Sequence, residues 1–256
     1  MADLPKTPAD KPSDKPSDPW AFLRKATSAR IALGRVGDGL PTARVLEFAL
    51  AHARARDAVH MPLDIEALAK ELAAYAPIIV ESRAQDRMLY LQRPDLGRML
   101  ADGAHLRHGK YDAVIVLADG LSANAVQSQG TALFKLLHQA EGWRFALPVI
   151  ARHARVALGD DIAQKLGADL VIMLIGERPG LSAADSLGAY VTFAPKPGET
   201  RDADRNCVSN IHPGGLTLKE AARRILAIAS LARNLRLSGT QLKEDAALAS
   251  LAAPKA

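Results

Sequence analysis

Only one cysteine, Cys207, stands among the 256 residues. That count excludes an internal disulfide and any multi-cysteine zinc site made by this chain alone, and it favours a reducing compartment. Aromatic residues are scarce too, at 4%, so packing falls to Ala, Leu, Val and Ile. No apolar run approaches the roughly 18 residues that a bilayer crossing needs. The opening MADLPKTPADKPSDKPSDPW lacks the apolar centre of a secretory signal. The expectation is a soluble, cytoplasmic protein. Three common fingerprints are also missing: no G-x-G-x-x-G follows a strand, and neither G-x-x-x-x-G-K-[ST] nor G-x-S-x-G occurs. These absences weigh against dinucleotide-binding, P-loop and α/β-hydrolase readings.

What is present is ordinary globular material, with 48% hydrophobic residues and a length that fits one large domain or one domain with an appended smaller part. The formal charge is +5, but 28 acidic residues are scattered among the basic ones. No basic stripe is interleaved with aromatics, so a solvated basic surface is favoured over nucleic-acid binding.

Residues 1–19 contain KPSD twice in succession and cannot bury enough apolar area to offset their ordering entropy. They are expected to be a disordered leader. Residues 20–110 read as mainly helical. Thr42 is a plausible cap, with Val45, Leu46, Ala49 and Leu50 at helix spacing, and Asp64 caps a second helix. IIVES (78–82) reads as a short strand, and RPDLGRMLADG (93–103) as a helix stopped by Gly103. From 111 to 240 the rhythm becomes strand and helix in alternation. DAVIVLADG and DLVIMLIG are apolar runs of the kind covered on both faces, RFALPVIA is extended with Pro148 hinting at an edge or bulge, and GAYVTFAP adds a strand. The predicted fold class is α/β, Rossmann-like, with a largely parallel sheet and flanking helices behind a smaller helical N-terminal region. A final helix opens on the Thr217–Glu220 capping box and stops at Gly239. Residues 241–256 form a flexible tail.

Ligands of open parallel sheets bind outside the carboxyl ends of the strands. LADGLSAN (117–124), IARHARVALGD (150–160) and IGERPGLS (175–182) should reach that edge, with Gly120, Gly176 and Gly180 admitting a close ligand. Glu177 then sits on the rim of a pocket, either as a ligand contact or as one half of an ordinary loop pair with Arg178. The RHARV loop is either solvated or a phosphate or amide contact. Cys207 reads most simply as a small buried apolar residue, Ser122 as a helix cap, and the His105–His108 pair as a surface feature rather than a metal site.

Several ordered stretches carry a resemblance. DPWAFLRKATSARIALGRVGDGLPTARVLEFALAHARARDAVH, DAVIVLADGLSANAVQSQG and GADLVIMLIGERPGLSAADSLGAYVTFAPKPGETRDADRNCVSNIHPGGL together resemble the small subunit of ethanolamine ammonia-lyase, over roughly residues 18 to 240. The resemblance implies an adenosylcobalamin-dependent lyase that converts ethanolamine to acetaldehyde and ammonia, serving ethanolamine degradation. It implies a hetero-oligomer with a large TIM-barrel subunit, several copies of each, and cobalamin held between the two. Carried over residue by residue, the small-subunit cobalamin contacts fall on Val156, Glu177 and Cys207. No catalytic residue and no metal ligand is implied for this chain. The D-x-H-x-x-G motif of proteins that replace the cofactor's base with their own histidine is missing, in keeping with a family that leaves that base on cobalt. A bacterial microcompartment is the family-implied alternative location.

Overall fold

The computed structural model describes residues 20–27 and 29–242. The expected disordered leader and the tail beyond residue 242 lie outside the described residues. Two compact units divide the chain, Met1–Ala51 and His52–Ala256.

In the first unit, a 3-10 turn at Ala21–Lys25 is followed by a reversal closed by a Val36–Gly39 bridge. Gly37 takes φ 60° inside that reversal, a conformation costly for a residue bearing a Cβ. Helix α1 (Thr42–His60) begins here, with Thr42 as its first helical residue rather than its cap. Val45, Leu46, Ala49 and Leu50 do not form a buried stripe. All four are exposed, on a broad apolar side of the helix that nothing among the described residues buries.

The second unit is built on a six-stranded sheet of order β1-β3-β2-β4-β5-β6. The strands are β1 (Ile78–Glu81), β2 (Tyr111–Ala118), β3 (Val149–Arg152), β4 (Ala168–Gly176), β5 (Leu187–Phe193) and β6 (Asn206–Ile211). β1, β3, β2 and β4 pair parallel, whereas β5 and β6 join antiparallel. The sheet is therefore mixed, which corrects the largely parallel expectation. Residues 177–186 carry no helix between β4 and β5, and a parallel return needs a longer crossover.

Alternating residues of β2 divide the core. Ala113, Ile115 and Leu117 face the layer that holds helices α2 (Ile65–Glu71), α4 (Ala123–His138) and α6 (Leu218–Leu235). Val114, Val116 and Ala118 face the layer of α5 (Leu158–Leu166). Both faces are covered, as the unbroken apolar runs require.

Local corrections have local causes. Pro148 marks a break at the start of an interior strand, not an edge: Phe145 still pairs with Ala113, and the Pro148 carbonyl accepts from Ile78. The only helical segment in residues 93–103 is a 3-10 turn, Leu96–Arg98, after which Leu100 bridges to Ser82. The helix lies earlier, as α3 (Arg87–Gln92), where Asp86 accepts from the Leu89 amide at 2.7 Å. Helix α6 ends at Arg236 in the left-handed region, not at Gly239. Thr217 accepts from the Glu220 amide as expected, but the Glu220 carboxylate binds Arg223 and Arg224 instead of reaching back. Those bonds hold its carboxyl down to about 2.

Candidate functional site

β2, β3 and β4 run parallel, so Ala118, Arg152 and Gly176 end on one edge of the sheet. The three loops that follow converge there. Gly120 and Gly176 are needed for the packing of loop on loop. A Cβ on Gly120 would lie 2.2 Å from the Gly176 carbonyl, and one on Gly176 would lie 2.0 Å from the Ser122 carbonyl. Both glycines also line the cleft described below, so the loop packing adds a second reason for glycine at these positions. Gly180 closes a turn through its amide to Ala183.

Asp119, the residue after β2, is 2% exposed. Its two carboxylate oxygens accept from the amides of His153 at 2.8 Å and Ala154 at 2.9 Å, and Arg87 approaches to 3.4 Å. Burial pushes this carboxyl up from its ordinary value, while the amides of Ala154 and His153 and the Arg87 charge oppose the shift. The two amide bonds help hold His153 at φ 53°, a strained value for a non-glycine residue. One buried carboxylate thus fixes the loop that presents Arg155 and Val156. Arg87 completes the tie, donating to the carbonyls of Val59 and Gly120 at 2.7 and 2.8 Å.

Above this anchor lies a cleft of about 430 Å³. Its wall includes Val156 after β3 and Glu177 after β4, with the rings of Tyr90 from α3 and Tyr190 from β5. Glu177 is half-buried. Its Oε2 accepts from the Ser186 hydroxyl at 2.5 Å and the Asn210 amide at 3.3 Å, while Oε1 accepts no bond among the described residues. The loop bearing it is held to α4, where Ser122 donates to the Ala184 carbonyl at 2.7 Å and Gln129 to that of Asp185 at 2.9 Å. Ser122 precedes α4 as expected, but its hydroxyl makes this bond rather than a cap.

Cys207 does not line the cleft itself. It stands directly across from Tyr190 in the β5–β6 register, one strand further out. The side chain is exposed, which corrects the expectation of a small buried residue. β6 is an edge strand, and its alternation turns Val208 inward and Cys207 outward. Neighbouring atoms still desolvate the sulfur and push the thiol up; Tyr190 opposes that shift and Glu177 adds to it. The structure therefore brings Val156 and Glu177 into one cleft and sets Cys207 beside its Tyr190 wall.

Sequence reasoning missed Tyr90, Arg87 and Asp119 as parts of this site. Asp119 had a signal, an acid directly after an apolar strand. Tyr90 had none, because α3 was not expected.

The chain matches the family model described as ethanolamine ammonia-lyase light chain (EutC) over residues 17–243. It is 52% identical over 233 residues to the ethanolamine ammonia-lyase small subunit of Rhodococcus erythropolis, covering 89% of this chain and 90% of that one. The corresponding protein of Pseudomonas fluorescens is 48% identical, with 94% and 93% covered. That of Azotobacter vinelandii is also 48% identical, with 91% of each chain covered. The chain belongs to the ethanolamine ammonia-lyase small-subunit family. The family match runs through all three loops of the cleft and through β6, so the site is made of family sequence throughout.

Proposed function

We propose that this chain is the cofactor-gripping half of an adenosylcobalamin-dependent ethanolamine ammonia-lyase. In this reading Val156, Glu177 and Cys207 contact cobalamin, and a large subunit covers its other side. The assembled enzyme converts ethanolamine to acetaldehyde and ammonia in ethanolamine degradation, in the cytoplasm or within a protein-shelled microcompartment. The parallel β3-β2-β4 portion serves as a Rossmann-like platform behind the helical N-terminal region. The observation that carries the reading is the meeting of Val156 and Glu177 in one cleft, with Cys207 one strand away.

The residues present fit such a group. A corrinoid edge is rich in amides, and Glu177 Oε1 is an acceptor with no partner among the described residues. Its carboxylate is already oriented by Ser186 and Asn210 through the other oxygen, so little ordering remains to be done on binding. The cleft is at the small end for a drug-sized ligand and far too small to enclose a corrin. A second surface must complete the enclosure. The first unit, taken by itself, exposes Trp20, Phe22, Leu46 and Leu50 by more than half each, apolar surface of the kind that protein interfaces cover.

When bound, adenosylcobalamin supplies the radical chemistry. This chain orients the cofactor and keeps water from one side of it, and none of its residues is assigned to the reaction itself. The test is reconstitution. The purified chain alone should show no lyase activity, and adding the large subunit with adenosylcobalamin should restore it. Activity of the chain alone, or a pair that is active without the corrinoid, would overturn the reading.

A further inference from the structure

We infer that Arg155 is an anion-binding residue of the cleft and that, on the cofactor reading above, its ligand is the phosphodiester of cobalamin's nucleotide tail.

Arg155 is built into its place. Its amide donates to the Gly97 carbonyl at 2.8 Å, and its stem passes so close to Gly97 that a Cβ there would lie 2.9 Å from Arg155 Cγ. The guanidinium lies over the Tyr90 ring, 4.3 Å from its centroid, with Nη2 reaching the Tyr90 carbonyl at 3.4 Å. Nε is buried without a partner. A guanidinium held flat on an aromatic ring is pre-organised and weakly hydrated, a state suited to forked binding of an oxyanion.

Its charge is not answered by a carboxylate among the described residues. The nearby carboxylates are committed elsewhere: Asp119 to two backbone amides and Arg87, and Glu177 Oε2 to Ser186 and Asn210. No carboxylate of the described residues forms an ion pair with Arg155 or with Arg178, the other guanidinium on the cleft wall. Two cations against Glu177 leave the cleft positive. An unpaired, half-desolvated guanidinium is costly unless a ligand completes it. Cobalamin's periphery consists of neutral amides apart from the phosphodiester, so that group is the matching partner. Glu177 then takes amide donors while Arg155 takes the phosphate.

The experiment uses the assembled two-subunit complex and two inactive corrinoids, cyanocobalamin and cobinamide, the second lacking the nucleotide tail. Dissociation constants are read from the corrin absorbance, with Arg155→Met keeping the stem's bulk while removing the charge. The expected result is a loss of at least about tenfold for cyanocobalamin and less than about twofold for cobinamide. Equal losses for both, or no loss for either, overturn the assignment to phosphate. If Arg155→Met does not assemble, Arg155→Lys carries the test, because it keeps charge without the fork. Cyanocobalamin must then weaken more than cobinamide, and equal weakening refutes the idea. Should the unmodified complex bind neither corrinoid, the cofactor reading itself fails, a result distinct from all of these.

Discussion

Asp119 shows how one residue sets the geometry of a site it does not line. It sits at 2% exposure with two amide donors and Arg87 around it. Removing it strands the Arg87 charge in a buried place and frees the loop that carries Arg155 and Val156. Loss of one partner of a buried ion pair costs about 3–5 kcal/mol. For a chain of this size, Asp119→Ala should therefore lower Tm by roughly 6–20 °C. Asp119→Asn keeps one acceptor oxygen and should fall between the two. A melting curve for Asp119→Ala within about 1 °C of the parent would remove Asp119 from the anchor. Also at this scale, the bare sequence did not favour a ligand role for any of the three positions carried by family resemblance. Glu177 read equally well as a solvated loop pair, because nothing in IGERPG says that Ser186 and Asn210 converge on its Oε2.

Among the secondary-structure elements, those with strong local signals were the legible ones. The apolar runs of β2 and β4 and the caps Asp64 and Thr217 stand where the sequence puts them. Thr217 accepts the Glu220 amide at 3.4 Å, a long bond. Thr217→Ala should thus cost about 0.5–1 kcal/mol, the low end for an N-cap, measured by urea denaturation. A change below about 0.2 kcal/mol would show that packing alone fixes where α6 begins. The illegible elements depended on distant partners. β6 is short and polar on alternate positions, and it becomes a strand only because β5 lies beside it. Helix α3 has two turns at most, and Tyr90 is buried by α3's docking rather than by a periodic pattern. The 93–103 stretch looked helical, yet Pro94 stands near its start and Gly97 is pressed against Tyr90 and Arg155.

Across the whole molecule, two kinds of surface stand out. The sheet edge offers a cleft with an oriented carboxylate and a guanidinium that forms no ion pair among the described residues, and the first unit offers exposed apolar side chains. A cleft too small to enclose a corrinoid and a set of exposed apolar side chains are both what the proposed subunit role calls for. The parallel half of the sheet was readable because continuous apolar strands need cover on both faces. The antiparallel β5–β6 extension, which carries Cys207, was not, because direction depends on a helix-free connection and not on the composition of the strands. The measurement that bears most directly on that role is a cobalamin titration of the assembled complex carrying Glu177→Ala. The account expects the complex to keep its mass and melting behaviour while its dissociation constant for cobalamin rises by at least about tenfold. An unchanged dissociation constant in an intact complex would contradict it.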